Sequence, residues 1–288
     1  MTATNGKKHA PQPLTATIEV QTTKISGHSP AEFTDTLSVE EPLEIRLTAE
    51  VDGHELTRPV AITMRTPGED RDLAAGFLFT EGIISDIEQI ESVESDGCNV
   101  IAIKLRAGVE VPASVFERHS FVASSCGVCG KRSIDAVQVR RNYKLLAVQA
   151  VQPTVAAPVI HSLPAALRAA QKSFDSTGGI HASGLFDTSG KLLLLREDVG
   201  RHNALDKVIG ACGWEKSLPL SDRILLVSGR ASFELIQKAA HAGTPIVAAV
   251  GAPSSLAVQL AAESGMTLLG FVRNDKFNIY CAAERIGY

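Results

Sequence analysis

The chain is short of the features that would assign it quickly. It has five cysteines in 288 residues. With an odd count and no export signal, structural disulfides are not expected and the reducing cytoplasm is the natural compartment. Met1 to Pro13 is polar and lacks the apolar core of a signal peptide, so residues 1–14 read as a flexible tail. No apolar run of spanning length occurs without charges or breakers, which excludes a membrane helix. Positive charge is not in surplus: 28 Lys and Arg against 32 Asp and Glu leave a net charge of -4. That argues against nucleic acid as a partner, while a local basic patch for a phosphate-bearing ligand stays open. There is neither a P-loop nor a G-x-G-x-x-G fingerprint, so nucleotide hydrolysis and dinucleotide-linked hydride transfer lose ground. With 44% hydrophobic and 21% charged residues, the chain can still bury one large core or two smaller ones.

The most informative stretch that is present is Ser124-Ser125-Cys126-Gly127-Val128-Cys129-Gly130-Lys131. A C-x-x-C pair suits redox or sulfur-transfer chemistry. A helix over Lys131 to Val139 would lower the pKa of a thiol at its N-terminus, and Lys131 and Arg132 add positive charge that favours the thiolate. Gly127 and Gly130 leave room for a large partner. A structural zinc site needs a second pair or a Cys/His complement, and Cys98, Cys212 and Cys281 stand singly; packing is their default role. A thioredoxin-like exchange site is the stronger competitor, but its motif follows an early strand, and this one follows a long N-terminal region.

Residues 15–118 read as a small α+β domain. Its first part alternates, as at Leu43, Ile45 and Leu47, with a hairpin turn at Asp52-Gly53. A helical pattern runs from Glu69 to Ile83, and a second hairpin is centred on Asp96-Gly97. Residues 119–160 hold the two-cysteine loop and a connection. Residues 161–288 read as an α/β domain, with a helix from Ser162 to about Asp175, a Gly178-Gly179 break and a hairpin at Thr188-Ser189-Gly190. A helix from His202 to Cys212 follows. Strands at Ile224–Val227, Ile246–Val250 and Thr267–Val272 then alternate with helices at Ser232–His241 and Ser255–Ser264. That alternation predicts a parallel sheet with right-handed crossovers.

In open α/β sheets ligands bind beyond the carboxyl ends of the strands. Three such ends are Ser228-Gly229-Arg230, Gly251-Ala252-Pro253-Ser254-Ser255 and Phe271-Val272-Arg273-Asn274-Asp275-Lys276. Each alone is explained by capping and solvation, but their convergence suits an anionic ligand with a planar or phosphate-rich group. The stretch from Arg196 to Lys207 packs unusual polar density between an apolar strand and an apolar helix. A capped helix with surface ion pairs, with Asp198 as the cap, weighs about evenly against a functional role.

These blocks together resemble the FdhD family, the sulfurtransferase accessory proteins required for formate dehydrogenase activity. The resemblance is carried by Glu41-Pro42-Leu43, Met64 to Gly68, Gly76-Phe77-Leu78, Glu81 to Ile84, the two-cysteine loop, Thr177-Gly178-Gly179, Glu197 to Asp206, Ser228-Gly229-Arg230, Ala252-Pro253 and Gly270 to Arg273. It implies a carrier that takes sulfur from a cysteine desulfurase as a persulfide and passes it to the molybdenum bis(molybdopterin guanine dinucleotide) cofactor of formate dehydrogenase. That cofactor is a bound substrate, with no permanently bound metal. By motif position Cys126 matches the persulfide-bearing residue and Cys129 its partner, while Phe271, Val272, Arg273, Asn274, Asp275 and Lys276 match the cofactor-binding stretch. The family also implies a homodimer and a second, three-layer domain similar to the cytidine-deaminase fold. A zinc-deaminase reading at His181-Ala182 fails, because Ser183 stands where the proton-shuttling Glu is required. The competing function is a cofactor-binding delivery chaperone that does not itself transfer sulfur; a generic disulfide reductase ranks last.

Overall fold

A computed structural model describes residues 15–116 and 154–288. The connection at 119–153, with Cys126, Cys129 and the helix expected after them, lies outside the described residues, as does the tail at 1–14.

The first described element is an antiparallel hairpin, β1 (Thr17–Ser26) and β2 (Ser29–Ser38), whose last residue, Ser38, donates to Thr177 Oγ1 at 2.8 Å. A second hairpin pairs β3 (Glu41–Val51) with β4 (His54–Arg65). The expected turn joins them, with Asp52 and Gly53 both at positive φ (49° and 77°), the conformation that a two-residue turn needs to match strand twist. The alternation at Leu43, Ile45, Leu47 and Ala49 puts those side chains in the core. Helix α1 (Asp70–Thr80) follows, then β5 (Ile90–Ser95) and β6 (Val100–Leu105), giving a four-stranded sheet in the order β4-β3-β6-β5. The Asp96 carboxylate shapes the β5–β6 turn by accepting from Cys98 N at 2.8 Å and Val100 N at 3.0 Å.

After the short strand β7 (Val155–Ala156) come α2 (Ala157–Ala170) and α3 (Lys172–Thr177). The helix therefore begins at Ala157, five residues before Ser162, because Pro158 fits the first turn, where its missing N–H costs nothing. A hairpin of β8 (His181–Phe186) and β9 (Leu192–Asp198) leads to α4 (Arg201–Trp214), β10 (Ile224–Val227), α5 (Phe233–His241), β11 (Ile246–Ala249), α6 (Ser255–Glu263), β12 (Thr267–Gly270), β13 (Asn278–Cys281) and β14 (Ile286–Gly287). The six-stranded sheet runs β13-β12-β11-β10-β8-β9. Only β10, β11 and β12 are parallel, each pair joined through a crossover helix. The expected parallel pairing holds for these three strands, and the expected hairpin at Thr188-Ser189-Gly190 joins β8 to β9, while β13 adds an antiparallel edge beside β12. No helix intervenes between β8 and β9 or between β12 and β13, so both returns are antiparallel.

Both faces of this sheet are covered. Ile160, Leu163 and Leu167 of α2 pack with Phe186, Leu226 and Ala248 on one face. On the other, Leu205 and Val208 of α4, Ile236 of α5 and Leu260 of α6 pack with Leu225 and Val247. That cluster continues without a break through Leu73 and Leu78 of α1 to Ile45 and Ile103 of the four-stranded sheet. Helix α4 lies in the middle and is buried on every side from His202 to Gly213, as expected of a helix without a solvent face. The result is a mixed α/β fold with six helices among the described residues. None of them is long and apolar enough to cross a membrane.

Candidate functional site

The three strand ends singled out in the sequence meet at one rim, linked by backbone hydrogen bonds. Ser228, just past β10, donates its N–H to Ala182 O at 2.9 Å and accepts from Ala182 N through Oγ at 2.9 Å, tying the end of β10 to the start of β8. Gly251 N donates to Gly229 O at 2.9 Å, and Phe271 N donates to Gly251 O at 3.1 Å. A side chain on Gly251 would come within 3.0 Å of Gly229 O and of Arg230 Cγ, so the close approach of the loops requires glycine there. Arg273 reaches back to Val250 O through Nη1 at 2.7 Å, and Arg273 N donates to Lys276 O at 2.8 Å, closing the last loop.

Arg230, Arg273, Asn274, Asp275 and Lys276 are exposed on this rim. Among the described residues Arg230, Arg273 and Lys276 form no ion pair, so three cations stand against one carboxylate, Asp275. Phe271 is 43% exposed and sits at φ 53°, a left-handed conformation that a non-glycine residue rarely holds and that recurs at binding sites. Val272, by contrast, is fully buried in the core beneath the rim and offers a ligand only its backbone.

Beside the rim, where parallel β10 borders antiparallel β8, opens a cleft of about 600 Å³. Pro164, Leu167 and Arg168 of α2, Gln171, Phe174 of α3, Gly178-Gly179, His181, Val199, Ser228 and Val250 line it. Of the residues expected to bind cofactor, Ser228 lines the cleft directly. Gly229 lies behind His181, since a Cβ placed on it would be 3.5 Å from His181 Nδ1. Burial, and then the positive charge of Arg201, hold the His181 imidazole below its ordinary pKa, against a weaker pull from Asp198. Arg201 opens α4, whose N-cap Gly200 supplies no side-chain cap. Its Nε is buried without a hydrogen-bond partner.

The cleft wall from α2 to β8 was not singled out in the sequence. The signal that was available is the Gly178-Gly179 break.

The polar stretch from Arg196 to Lys207 turns out to join the two sheets. Lys207, fully buried, pairs with the equally buried Asp198 at 2.9 Å and donates to Thr66 O at 3.0 Å. Asp198 also accepts from Thr66 N at 3.1 Å and Gly200 N at 2.8 Å. Burial pushes the Asp198 carboxyl up, while Lys207, Gly200 and Asn203 pull it down. It is therefore a buried ion-pair partner and not the helix cap that its position suggested. Arg196 pairs with Asp72 of α1 at 2.8 Å, and Asp206 pairs with Lys238 of α5 at 2.8 Å and accepts from Thr80 of α1 at 2.8 Å. Glu197 has a separate task. Its carboxylate accepts from Ser173 N and Phe174 N, each at 2.9 Å, which fixes the start of α3 and with it the Phe174 wall of the cleft.

Cys212 and Cys281 are poor nucleophiles. Burial pushes the Cys212 thiol up to about 12. Cys281 is raised too, again first by burial, and its thiol donates to Met266 O at 3.2 Å. Cys98 is half-buried in the β5–β6 turn. Among the described residues no group of three or more His, Cys, Asp or Glu side chains is placed to hold a metal ion.

Residues 39–287 match the model of the FdhD/NarQ family. The chain is 51% identical over 262 residues to the sulfur carrier protein FdhD of Mycolicibacterium paratuberculosis, covering 88% of this chain and 92% of that one. The sulfur carrier protein FdhD of Sulfurisphaera tokodaii is 42% identical over 267 residues, covering 93% and 98%. Among solved structures, one described as a formate dehydrogenase accessory protein from Desulfotalea psychrophila superposes with a TM-score of 0.73 at 24% identity, covering 94% of this chain and 100% of that one. At that identity the likeness speaks for the fold.

Proposed function

This chain belongs to the FdhD/NarQ family, and from that premise we propose that it carries sulfur in the maturation of formate dehydrogenase, receiving it as a persulfide and delivering it to the molybdenum bis(molybdopterin guanine dinucleotide) cofactor. One observation carries the ligand half of this reading: three loops at the carboxyl ends of β10, β11 and β12, hydrogen-bonded to one another, present Arg230, Arg273 and Lys276 unpaired among the described residues beside a 600 Å³ cleft. A dinucleotide brings phosphates for the cations and planar bases for the cleft. The cofactor is cargo, bound through its nucleotide ends, and Phe271, Arg273, Asn274, Asp275 and Lys276 are the side chains offered to it.

The sulfur half falls to Cys126 and Cys129. The high pKa of Cys212 and Cys281 leaves them protonated and slow, which supports the C-x-x-C pair by contrast. In the first step the Cys126 thiolate attacks the terminal sulfur of the desulfurase persulfide. A new S–S bond forms on Cys126, and the desulfurase cysteine leaves as a thiolate. In the second, the Cys129 thiolate attacks the Cys126 sulfur, the two cysteines close as a disulfide, and hydrosulfide is released toward the bound cofactor; an external thiol then reduces the disulfide. Cys129 supplies the two electrons that turn sulfane sulfur into sulfide. The same reading places the protein in the cytoplasm as a homodimer, with a cysteine desulfurase and formate dehydrogenase as its partners.

Intact mass after incubation with a cysteine desulfurase and cysteine tests it. Wild type is expected to gain one sulfur, Cys126→Ala to gain none, and Cys129→Ala to retain the adduct longer. No adduct on wild type would leave the sulfur-free delivery chaperone as the better account, since the cationic rim works without the thiols.

A further inference from the structure

We propose that the apolar face of the β1–β2 hairpin is a self-association surface that packs against the same face of a second copy of this chain. In the register of the hairpin Ile18 stands opposite Leu37, Val20 opposite Asp35 and Thr22 opposite Phe33, with Lys24 next along. Side chains alternate across a strand, so these residues share one face. Glu19, Gln21, Glu32 and Thr34 share the other, which turns its base toward α3, where Ser38 meets Thr177. Such a division into an apolar and a polar face is that of a sheet with one side covered. Yet Ile18 is 54% exposed, and Phe33 and Leu37 are each 43% exposed. Among the described residues none of the three joins either hydrophobic core.

A two-stranded ribbon with a bare apolar face is marginal in water on its own, and large apolar side chains gathered in one exposed patch mark an interaction surface. The hairpin ends at Ser38, one residue ahead of the 39–287 match to the family, so this surface lies apart from the residues that carry the family resemblance. Charge and area point to the occupant. The face carries one cation and one anion: Lys24, over the Phe33 ring at 5.3 Å, stands toward the tip, and Asp35 stands nearer the base. Asp35 accepts from Thr36 N at 2.9 Å, and among the described residues neither is in an ion pair. A face with both signs complements a copy of itself. A two-fold stacking that runs the ribbons antiparallel turns each tip toward the other's base and brings each Lys24 to the Asp35 half of its mate. A partner of one charge would leave one of the two unmatched. Strands of ten residues make a ribbon about 34 Å long. Two such faces stacked about 10 Å apart bury an area near the lower end for a specific contact, about 1,000 Å². Phe33 supplies the aromatic anchor that such contacts favour. The inference names the surface for the homodimer proposed above and does not depend on the sulfur chemistry.

The test is sedimentation velocity of the full chain in reducing buffer over a concentration series, on wild type, Phe33→Glu, Thr34→Glu, Lys24→Glu and the double reversal Lys24→Glu with Asp35→Lys. Phe33 and Thr34 are neighbours on opposite faces of β2, so the same charge is placed on the apolar face or on the polar one. The expected result is a wild-type dimer whose dissociation constant rises at least roughly tenfold in Phe33→Glu, as for loss of an aromatic anchor, and stays within about twofold in Thr34→Glu. Lys24→Glu is expected to weaken the dimer and the double reversal to restore it, because the pair is recovered with its signs exchanged. A wild-type dimer that Phe33→Glu leaves intact overturns the face while the homodimer stands. A wild type that stays monomeric overturns both and leaves the face to a different protein. Loss in Phe33→Glu and Lys24→Glu without recovery in the double reversal means a collapsed hairpin, and overturns the proposal as well.

Discussion

Gly76 of α1 and Gly210 of α4 pass backbone against backbone: a Cβ on Gly76 would lie 1.9 Å from Asp206 O, and one on Gly210 would lie 1.9 Å from Asp72 O and 2.8 Å from Gly76 N. No rotamer relieves such a clash, because the obstacles are main-chain atoms. The two helices carry the hydrophobic cluster from one sheet to the other, so pushing them apart is felt on both sides. Gly210→Ala is expected to cost roughly 3 kcal/mol or more, at or beyond the upper end for overpacking. Urea denaturation measures it, and a loss under 1 kcal/mol would mean that the helices slide freely.

The buried pair Asp198–Lys207 is the polar counterpart of that contact. Both side chains are fully buried, so removing one leaves an uncompensated charge in the core. Lys207→Met is expected to destabilise the fold by about 3–5 kcal/mol. The double replacement Lys207→Met with Asp198→Asn is expected to recover much of this, because the remaining amide still accepts from Thr66 N or Gly200 N. A double variant no better than the single would show that the ion pair itself, and not the stranded charge, sets the cost.

Local signals were legible in the sequence, and tertiary partnerships were not. Ile224–Val227 reads as a buried strand because four apolar residues stand between turn formers, and it is β10 residue for residue. The Asp52-Gly53 turn is legible for the same local reason. Asp198 stands in the sequence as one candidate helix cap, weighed about evenly against a functional role, since an Asp before a helical pattern often caps it. Its real partners, Thr66 and Lys207, come from elements on opposite sides of the interface and leave no trace at neighbouring positions. Val272 entered the rim by motif, but its side chain points into the core because Phe271 takes a left-handed turn just before it.

Cys212 is expected to resist alkylation. With its thiol near 12, only about one part in ten thousand is thiolate at pH 8, and the thiolate is the reacting species. Peptide mapping after a short iodoacetamide treatment of the native protein should find Cys212 unmodified and Cys281 slow. Both should label fully once the protein is unfolded in denaturant. Rapid native labelling of Cys212 would remove the contrast that supports Cys126 and Cys129 as the sulfur-handling pair.

His181 makes the fold sensitive to acid, and the sign follows from where its proton goes. Burial first, and the Arg201 guanidinium second, lower its pKa below the ordinary 6.5 in the folded state. In the unfolded chain it titrates near 6.5. Between those two values the unfolded state binds more protons, so its contribution is fully present above about pH 6.5 and is lost as the pH falls through the folded-state pKa. His241 is lowered in the same direction by burial and by Lys238, so it adds to the slope. His181→Asn, which keeps a polar group and cannot titrate, should flatten the fall in stability between pH 7 and pH 5 without abolishing it. Arg201→Gln should flatten it as well, by letting the His181 pKa rise toward its ordinary value. Urea midpoints at the two pH values for wild type and both variants decide the matter: if His181→Asn loses as much stability as wild type on acidification, the imidazole is not held neutral and the Arg201 charge does not govern its protonation.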